Sequence, residues 1–321
     1  MKFDEHETSL DASERLELAL KSVSAAFSQG EFTRAESEAE KALSIRYDDP
    51  ELISVLKCAV FWKDRAIRLT EFPDDEQKGD FLFKEYQGFT QRFLQRLEVR
   101  SETALFAIRQ YVFSEMARIY TECLRQGKKD SGELTVKAAK AFKGSGAFDK
   151  SIELLETFLQ NQRDDAGAMA ELADCWEMVG EVRKAKLFFR EAFYLNPQRV
   201  DLEGLNSTLI RQILEILKQE GYAPASWKEW IPVYGVIYGV FNVRRDLKPL
   251  ELGQLKQSIF ALKNELQDHN LQQGLLLPRL INRYFWLIDH YLAVKEERSK
   301  IEEVLLNIKL LDERIFSIYT H

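Results

Sequence analysis

The stretch that decides the fold is "ELTVKAAKAFKGSGAFDKSIELLETFLQNQRDD", Glu133 to Asp165, set against "GAMAELADCWEMVGEVRKAKLFFREAFYLNPQR", Gly167 to Arg199. Gly146 and Gly180 lie thirty-four residues apart, and aligning on them brings the two stretches into register. Small residues then coincide (Ala139 with Ala173), as do an aromatic (Phe142 with Trp176), a hydrophobe two positions beyond the glycine (Phe148 with Val182), and a second small residue (Ser151 with Ala185). An apolar face follows in each, through Leu155, Phe158 and Leu159 or through Phe189, Ala192 and Phe193. Two amphipathic helices joined at a glycine, repeated in tandem, satisfy this pattern.

Outside the repeat the same period persists. Leu82, Tyr86, Phe89, Phe93 and Leu97 form one stripe, and Leu105, Ile108, Val112, Met116, Ile119 and Cys123 a second. Leu252, Leu255, Ile259, Leu262 and Leu266 form a third, and Ile301, Val304, Ile308, Leu311, Ile315 and Ile318 a fourth. Only seven prolines punctuate 321 residues, and no segment alternates with a period of two. The fold class is all-α. Asp130 with Glu133 and Ser226 with Glu229 have capping-box spacing, which predicts helix starts there.

The paired stretches resemble the tetratricopeptide repeat family, and "FFREAFYLNP" is the most specific part of the likeness. A degenerate third unit lies in "FSQGEFTRAESEAEKALSIRYDDP", with Gly30, Phe32, Ala35, Ala39, Ala42, Leu43 and Pro50 near the family's spacing. The resemblance implies a superhelix of helical hairpins. It predicts N-terminal helices with one such hairpin over 1–50, intervening antiparallel helices over 51–131, tandem repeats over 132–199 and a C-terminal helical domain over 200–321. It further implies a concave groove lined by the first helix of each unit. The family's groove positions fall on Glu133, Val136, Lys140 and Lys143, then on Ala170, Asp174 and Glu177. Lys140, Lys143, Asp174 and Glu177 would clamp an extended or helical peptide carrying both signs of charge, or would only keep the groove wet or pair with each other or with the chain's own C-terminal domain. Capture of a chaperone's C-terminal carboxylate is disfavoured, since Leu20, Ser24, Glu171 and Asp174 occupy positions where that clamp needs basic residues and asparagines.

Composition narrows the functional classes. A formal charge of -7, from 45 basic and 52 acidic side chains mixed along the chain, offers no basic arm for nucleic acid. Three scattered cysteines, Cys58, Cys123 and Cys175, without a CxxC pair, predict reduced core residues and a cytoplasmic setting. The opening "MKFDEHETSLDASERLELAL" carries acids where an export signal needs a positive flank. No phosphate-binding glycine loop, GxSxG or HExxH motif occurs, so neither catalysis nor a metal or other cofactor is expected. The pairs Asp268-His269 and Asp289-His290 are the one alternative, as the material of a metal-dependent regulator.

One further stretch stands apart, "WIPVYGVIYGVFNVRRDLKP", Trp230 to Pro249. Trp227, Trp230, Tyr234, Tyr238 and Phe241 recur at helical spacing, with Pro232 expected in a helix's opening turn. Gly235 and Gly239 fall on one face, where absent side chains admit another backbone. The stretch predicts a packed hub joining repeats to the C-terminal helices. Alternatively, Trp230, Tyr234, Tyr238, Arg244 and Arg245 form a surface for a partner or a second copy, or dock a peripheral or envelope-assembly protein on a membrane. The reading that results is a non-enzymatic scaffold or adaptor for protein partners.

Overall fold

Each hairpin turn is closed by the same backbone device. In the computed structural model, which describes residues 12–127, 131–244, 246–267 and 273–320, Gly30, Gly146 and Gly180 have φ of 73°, 82° and 87°. The glycine N–H bonds to the carbonyl three residues back, and the next N–H to the carbonyl five back: Glu31 to Ala26, Ala147 to Phe142, Glu181 to Trp176. This closure satisfies carbonyls that the helix end would otherwise leave bare, and its left-handed residue is cheap only for glycine. The hydrophobe two residues on, Phe32, Phe148 or Val182, is then the first residue of the returning helix.

The described residues form fifteen α-helices and no strand. The first seven are α1 (Ala12–Gln29), α2 (Phe32–Ile45), α3 (Pro50–Leu69), α4 (Asp75–Gly88), α5 (Glu102–Arg125), α6 (Ser131–Gly144) and α7 (Phe148–Asn161). They are followed by α8 (Ala166–Met178), α9 (Val182–Leu195), α10 (Thr208–Gln219) and α11 (Trp227–Ile237). The last four are α12 (Pro249–Gln267), α13 (Gln273–Ala293), α14 (Arg298–Leu311) and α15 (Glu313–Thr320). The residues five positions after the hairpin glycines, Ala35, Ser151 and Ala185, are all at 0% exposure, because there the two helices of a hairpin meet. Ser151 keeps its hydroxyl satisfied by donating to the Ala139 carbonyl at 2.8 Å.

Two compact units divide the chain, Met1–Leu154 and Leu155–His321. The division falls inside α7, whereas the sequence placed a domain boundary near 200. The reason is a shared core: Phe189 and Phe193 of α9 belong to one buried cluster with Ile231 of α11, Phe285 of α13 and Ile315 of α15. In the first unit, α1 packs on both α2 and α5, and α5 on α4 and α6. Trp62, Phe32 and Phe89 centre its core, with Phe32 and Phe89 6.1 and 5.4 Å from the Trp62 ring. Its Leu82-to-Leu97 stripe does not make one α-helix, since α4 gives way to a π-helical turn at Phe89–Phe93 and a 3-10 turn at Leu94–Arg96.

In the second unit α13 is the axis. It packs against α11, α12 and α14, and nearly every residue from Leu280 to Tyr291 is buried. The Ile301-to-Ile318 stripe is split between α14 and α15, because Asp312 ends the first and accepts from the Ile315 N–H of the second.

The glycine-notched segment differs from expectation in two details. α11 starts at Trp227 and runs through Pro232. Its capping box is not formed, since Ser226 donates to the Ala223 carbonyl while Glu229 turns inward. Asp130, the start of the other expected box, lies outside the described residues. Nor do the two glycines serve one backbone approach. A Cβ on Gly235 would run into the ring of Phe241, whereas nothing stands near Gly239, which has φ of 68° and ends the helix.

Gly235→Ala is therefore expected to cost about 1–3 kcal/mol through overpacking and Gly239→Ala about 1–2 kcal/mol through left-handed strain. Gly253→Ala, in an exposed and unobstructed turn of α12, should stabilise by up to about 1 kcal/mol. Urea unfolding followed by tryptophan fluorescence checks all three signs, since Trp176, Trp227, Trp230 and Trp286 report on this unit.

Candidate functional site

The first helices of the two repeats do not leave their predicted groove residues free for a partner. Asp174 is fully buried and accepts the Asn206 N–H with both oxygens at 3.0 Å. Glu177 caps the start of α10: it accepts from the N–H groups of Thr208 and Leu209, at 2.8 and 3.2 Å, and from the hydroxyls of Ser207 and Thr208. A carboxylate there meets the unpaired donors and the positive end of the helix. Both acids of α8 thus hold the chain's own continuation, the last of the uses read from the sequence. On α6, Lys143 is buried at 4% exposure and Lys140 is half-buried.

The 230–245 segment is core at one end and surface at the other. Trp230 and Tyr234 are buried, packed with Tyr222 at 4.7 and 5.5 Å between ring centroids. Burial, together with the hydrogen bond to Tyr222, raises the Tyr234 hydroxyl's pKa, so it stays neutral. These two rings cannot serve as a docking surface for partner or membrane. Tyr238 is half exposed, stacked 5.9 Å from Tyr234. Arg244 projects from the core edge with its Nε 3.3 Å from Asp289, and Arg245 lies outside the described residues. No described helix is long and apolar enough to cross a membrane.

Asp289, of the second Asp-His pair, is engaged by arginines. It forms an ion pair with Arg190, itself at 2% exposure, and Arg190 also donates to the Val243 carbonyl at 2.5 Å and lies 4.7 Å over the Trp286 ring. His290 is buried with Nδ1 lacking a hydrogen-bond partner. Asp268 and His269 lie outside the described residues. Among the described residues no three His, Cys, Asp or Glu side chains converge as metal ligands. All three cysteines are free and buried, and burial pushes the Cys58 thiol up to about 12.

A recess with room for a protein segment lies in the first unit, where the sequence reading placed no site. A cleft of about 950 Å³ runs between α2 and α3. Phe32, Ala66 and Ile67 give it an apolar lining, and Arg34, Lys41 and Lys63 a basic one. Ile67 is 59% exposed, unusual for a β-branched hydrophobe on a packed helix. The basic side chains are held by neighbouring acids: Arg34 by Glu31 at 2.8 Å, Lys41 by Glu38 at 2.7 Å, and Lys63 by Glu36 at 2.5 Å. The available signal was Ile67 lying between Arg65 and Arg68, off the face that Val55, Cys58 and Trp62 bury.

A scan against protein-family models and a search of curated proteins both returned no match.

Two outcomes test the arrangement of charges and thiols. Asp289→Asn strands the buried Arg190 and should cost about 3–5 kcal/mol. Arg244→Ala, at 61% side-chain exposure, should cost less than about 1 kcal/mol in the same urea titration. Native Cys58 at pH 8 should react with iodoacetamide at least about a hundredfold more slowly than in the urea-unfolded chain, read by peptide mass spectrometry.

Proposed function

We propose that the protein is a non-enzymatic interaction scaffold of the cytoplasm that holds a peptide or helix of a partner protein, and that the cleft between α2 and α3 is where it does so. The observation that carries this reading is the combination of size and wall chemistry in that cleft. About 950 Å³ lined by largely exposed side chains suits a peptide segment better than an enclosed metabolite. Its three basic side chains, Arg34, Lys41 and Lys63, are each matched by an acid, Glu31, Glu38 and Glu36, so the wall carries both signs of charge.

The ion pairs along the walls support exchange with a partner. Arg34 and Lys41 are 54% and 67% exposed, and exposed pairs of this kind are worth about 0–1 kcal/mol. A partner's acidic side chains can therefore replace Glu31 and Glu38 at little cost, while an apolar side chain covers Ile67. Such charges set orientation and partner choice more than affinity. The all-helical hairpins and their resemblance to tetratricopeptide repeats agree with a protein-binding role, and three unpaired cysteines agree with a reducing compartment.

A photo-crosslinking amino acid at Thr33 or Ser37, in the cleft, is expected to trap a discrete partner in the native cell, and one at Lys309 is not. Arg34→Glu with Lys41→Glu should remove the trapped species while changing stability by less than about 0.5 kcal/mol. Equal crosslinking from Lys309, or trapping that survives the double charge reversal, would defeat the reading.

A further inference from the structure

The second unit contains a smaller and different recess. The end of α9 and the 3-10 turn Pro197–Arg199 face α13 across a pocket of about 330 Å³, lined by Tyr194, Asn196 and Gln198 on one side and Arg279, Asn282 and Arg283 on the other. Two of its cations and one nearby anion fix its charge. Glu229, at 0% exposure, is gripped by Arg279 through Nε at 2.7 Å and Nη2 at 2.5 Å, and accepts from Gln198 Nε2 at 2.7 Å. That pair is neutral and closed.

Arg283 has no such partner. Its guanidinium lies 3.6 Å over the Tyr194 ring, and Nη1 donates to the Tyr194 carbonyl at 2.7 Å. Its Nε–H has no acceptor, and among the described residues no carboxylate forms an ion pair with it. Burial lowers its pKa, outweighing the opposing pull of Tyr194 and Glu229. Two guanidinium charges less one carboxylate leave a net charge of +1 at the pocket. Beside it, Asn282 is buried at 3% exposure with Oδ1 receiving no hydrogen bond. A charge without a counter-charge and an acceptor without a donor share one wall. Each is expensive to leave so, and together they describe what is missing.

We propose that this pocket binds a small hydroxy-carboxylate, its carboxylate paired with Arg283 and its hydroxyl donating to Asn282 Oδ1. The charge selects a monoanion, since a phosphate near −2 would overshoot a single uncompensated cation and face Glu229. A planar carboxylate matches a guanidinium's fork of donors. An amino acid, a zwitterion of no net charge, would leave Arg283 uncompensated by one unit. The volume is at the low end of ligand pockets and admits a molecule of a few carbons. The pocket belongs to the second unit alone and stands or falls independently of the α2–α3 cleft.

Isothermal titration of the full chain with glycolate, L-lactate, acetate, glycine and inorganic phosphate, at matched ionic strength, tests this. Glycolate or lactate should bind saturably, acetate at least about threefold more weakly for want of the hydroxyl, and glycine and phosphate more weakly still. Arg283→Lys keeps the charge but loses the fork, and should weaken glycolate by about tenfold or more. Asn282→Ser should abolish the preference for glycolate over acetate while leaving acetate binding within about twofold. Circular dichroism confirms the fold of each variant, and the glycolate-to-acetate ratio reads the site even if one variant fails to fold. No saturable binding of any carboxylate to the native chain, phosphate binding as tight as glycolate, or an unchanged ratio in Asn282→Ser would each overturn the proposal.

Discussion

A helix buried on most of its circumference must settle inside the protein every charge it carries, and α13 carries several. Arg279, Arg283 and Asp289 lie along α13, whose residues from Leu280 to Tyr291 otherwise make the core of the second unit. The neighbouring helices are placed by the way those charges are met. Glu229 of α11 answers Arg279, and Gln198 of the 3-10 turn joins the same carboxylate. Arg190 of α9 answers Asp289 through Nη2, and its Nη1 ties down Val243 in the segment after α11. Removing one member of such a pair costs more than the pair itself contributes, because the survivor stays out of water. The arrangement therefore specifies which helix sits against which more than it adds stability.

That constraint explains what the sequence disclosed and what it withheld. The hairpins were legible because the turn needs a glycine at one position and small or apolar residues at fixed offsets from it, and Gly30, Gly146 and Gly180 display this in the linear order of residues. The buried helix faces were legible for the same reason. The roles of Asp174 and Glu177 were not. The repeat register places them on the first helix of a hairpin, but it contains no term for the segment 206–209, which arrives thirty residues later and uses both carboxylates. The same limit applies to Trp230 and Tyr234: an aromatic stripe at helical spacing has one geometry whether α13 or a partner covers it. Ser226 and Glu229 have the spacing of a capping box, yet Glu229, buried, answers an arginine fifty residues away, Arg279, because a buried carboxylate needs a charged partner. Ile67 left a trace in its place off the buried face of α3, but what distinguishes Arg283 is a counter-charge absent around it, and absence has no sequence signal.

The two recesses differ in the physics of the charges that line them, and this sets what each can hold. Along the α2–α3 cleft, Arg34 and Lys41 stand in water beside their own acids. Their pairs are weak and replaceable, so such a wall discriminates among long partners by pattern, and its hold on any one of them depends on apolar contact at Ile67. In the α9–α13 pocket, Arg283 is half-buried, with an aromatic face and one carbonyl for its contacts. There a single added negative charge recovers a cost already incurred in folding, so a ligand of a few atoms can bind measurably without burying much surface. Salt separates the two cases. Binding across the cleft should weaken steeply as ionic strength screens exposed charges, whereas the pocket's interaction, made at half-buried guanidinium groups, should weaken less over the same range.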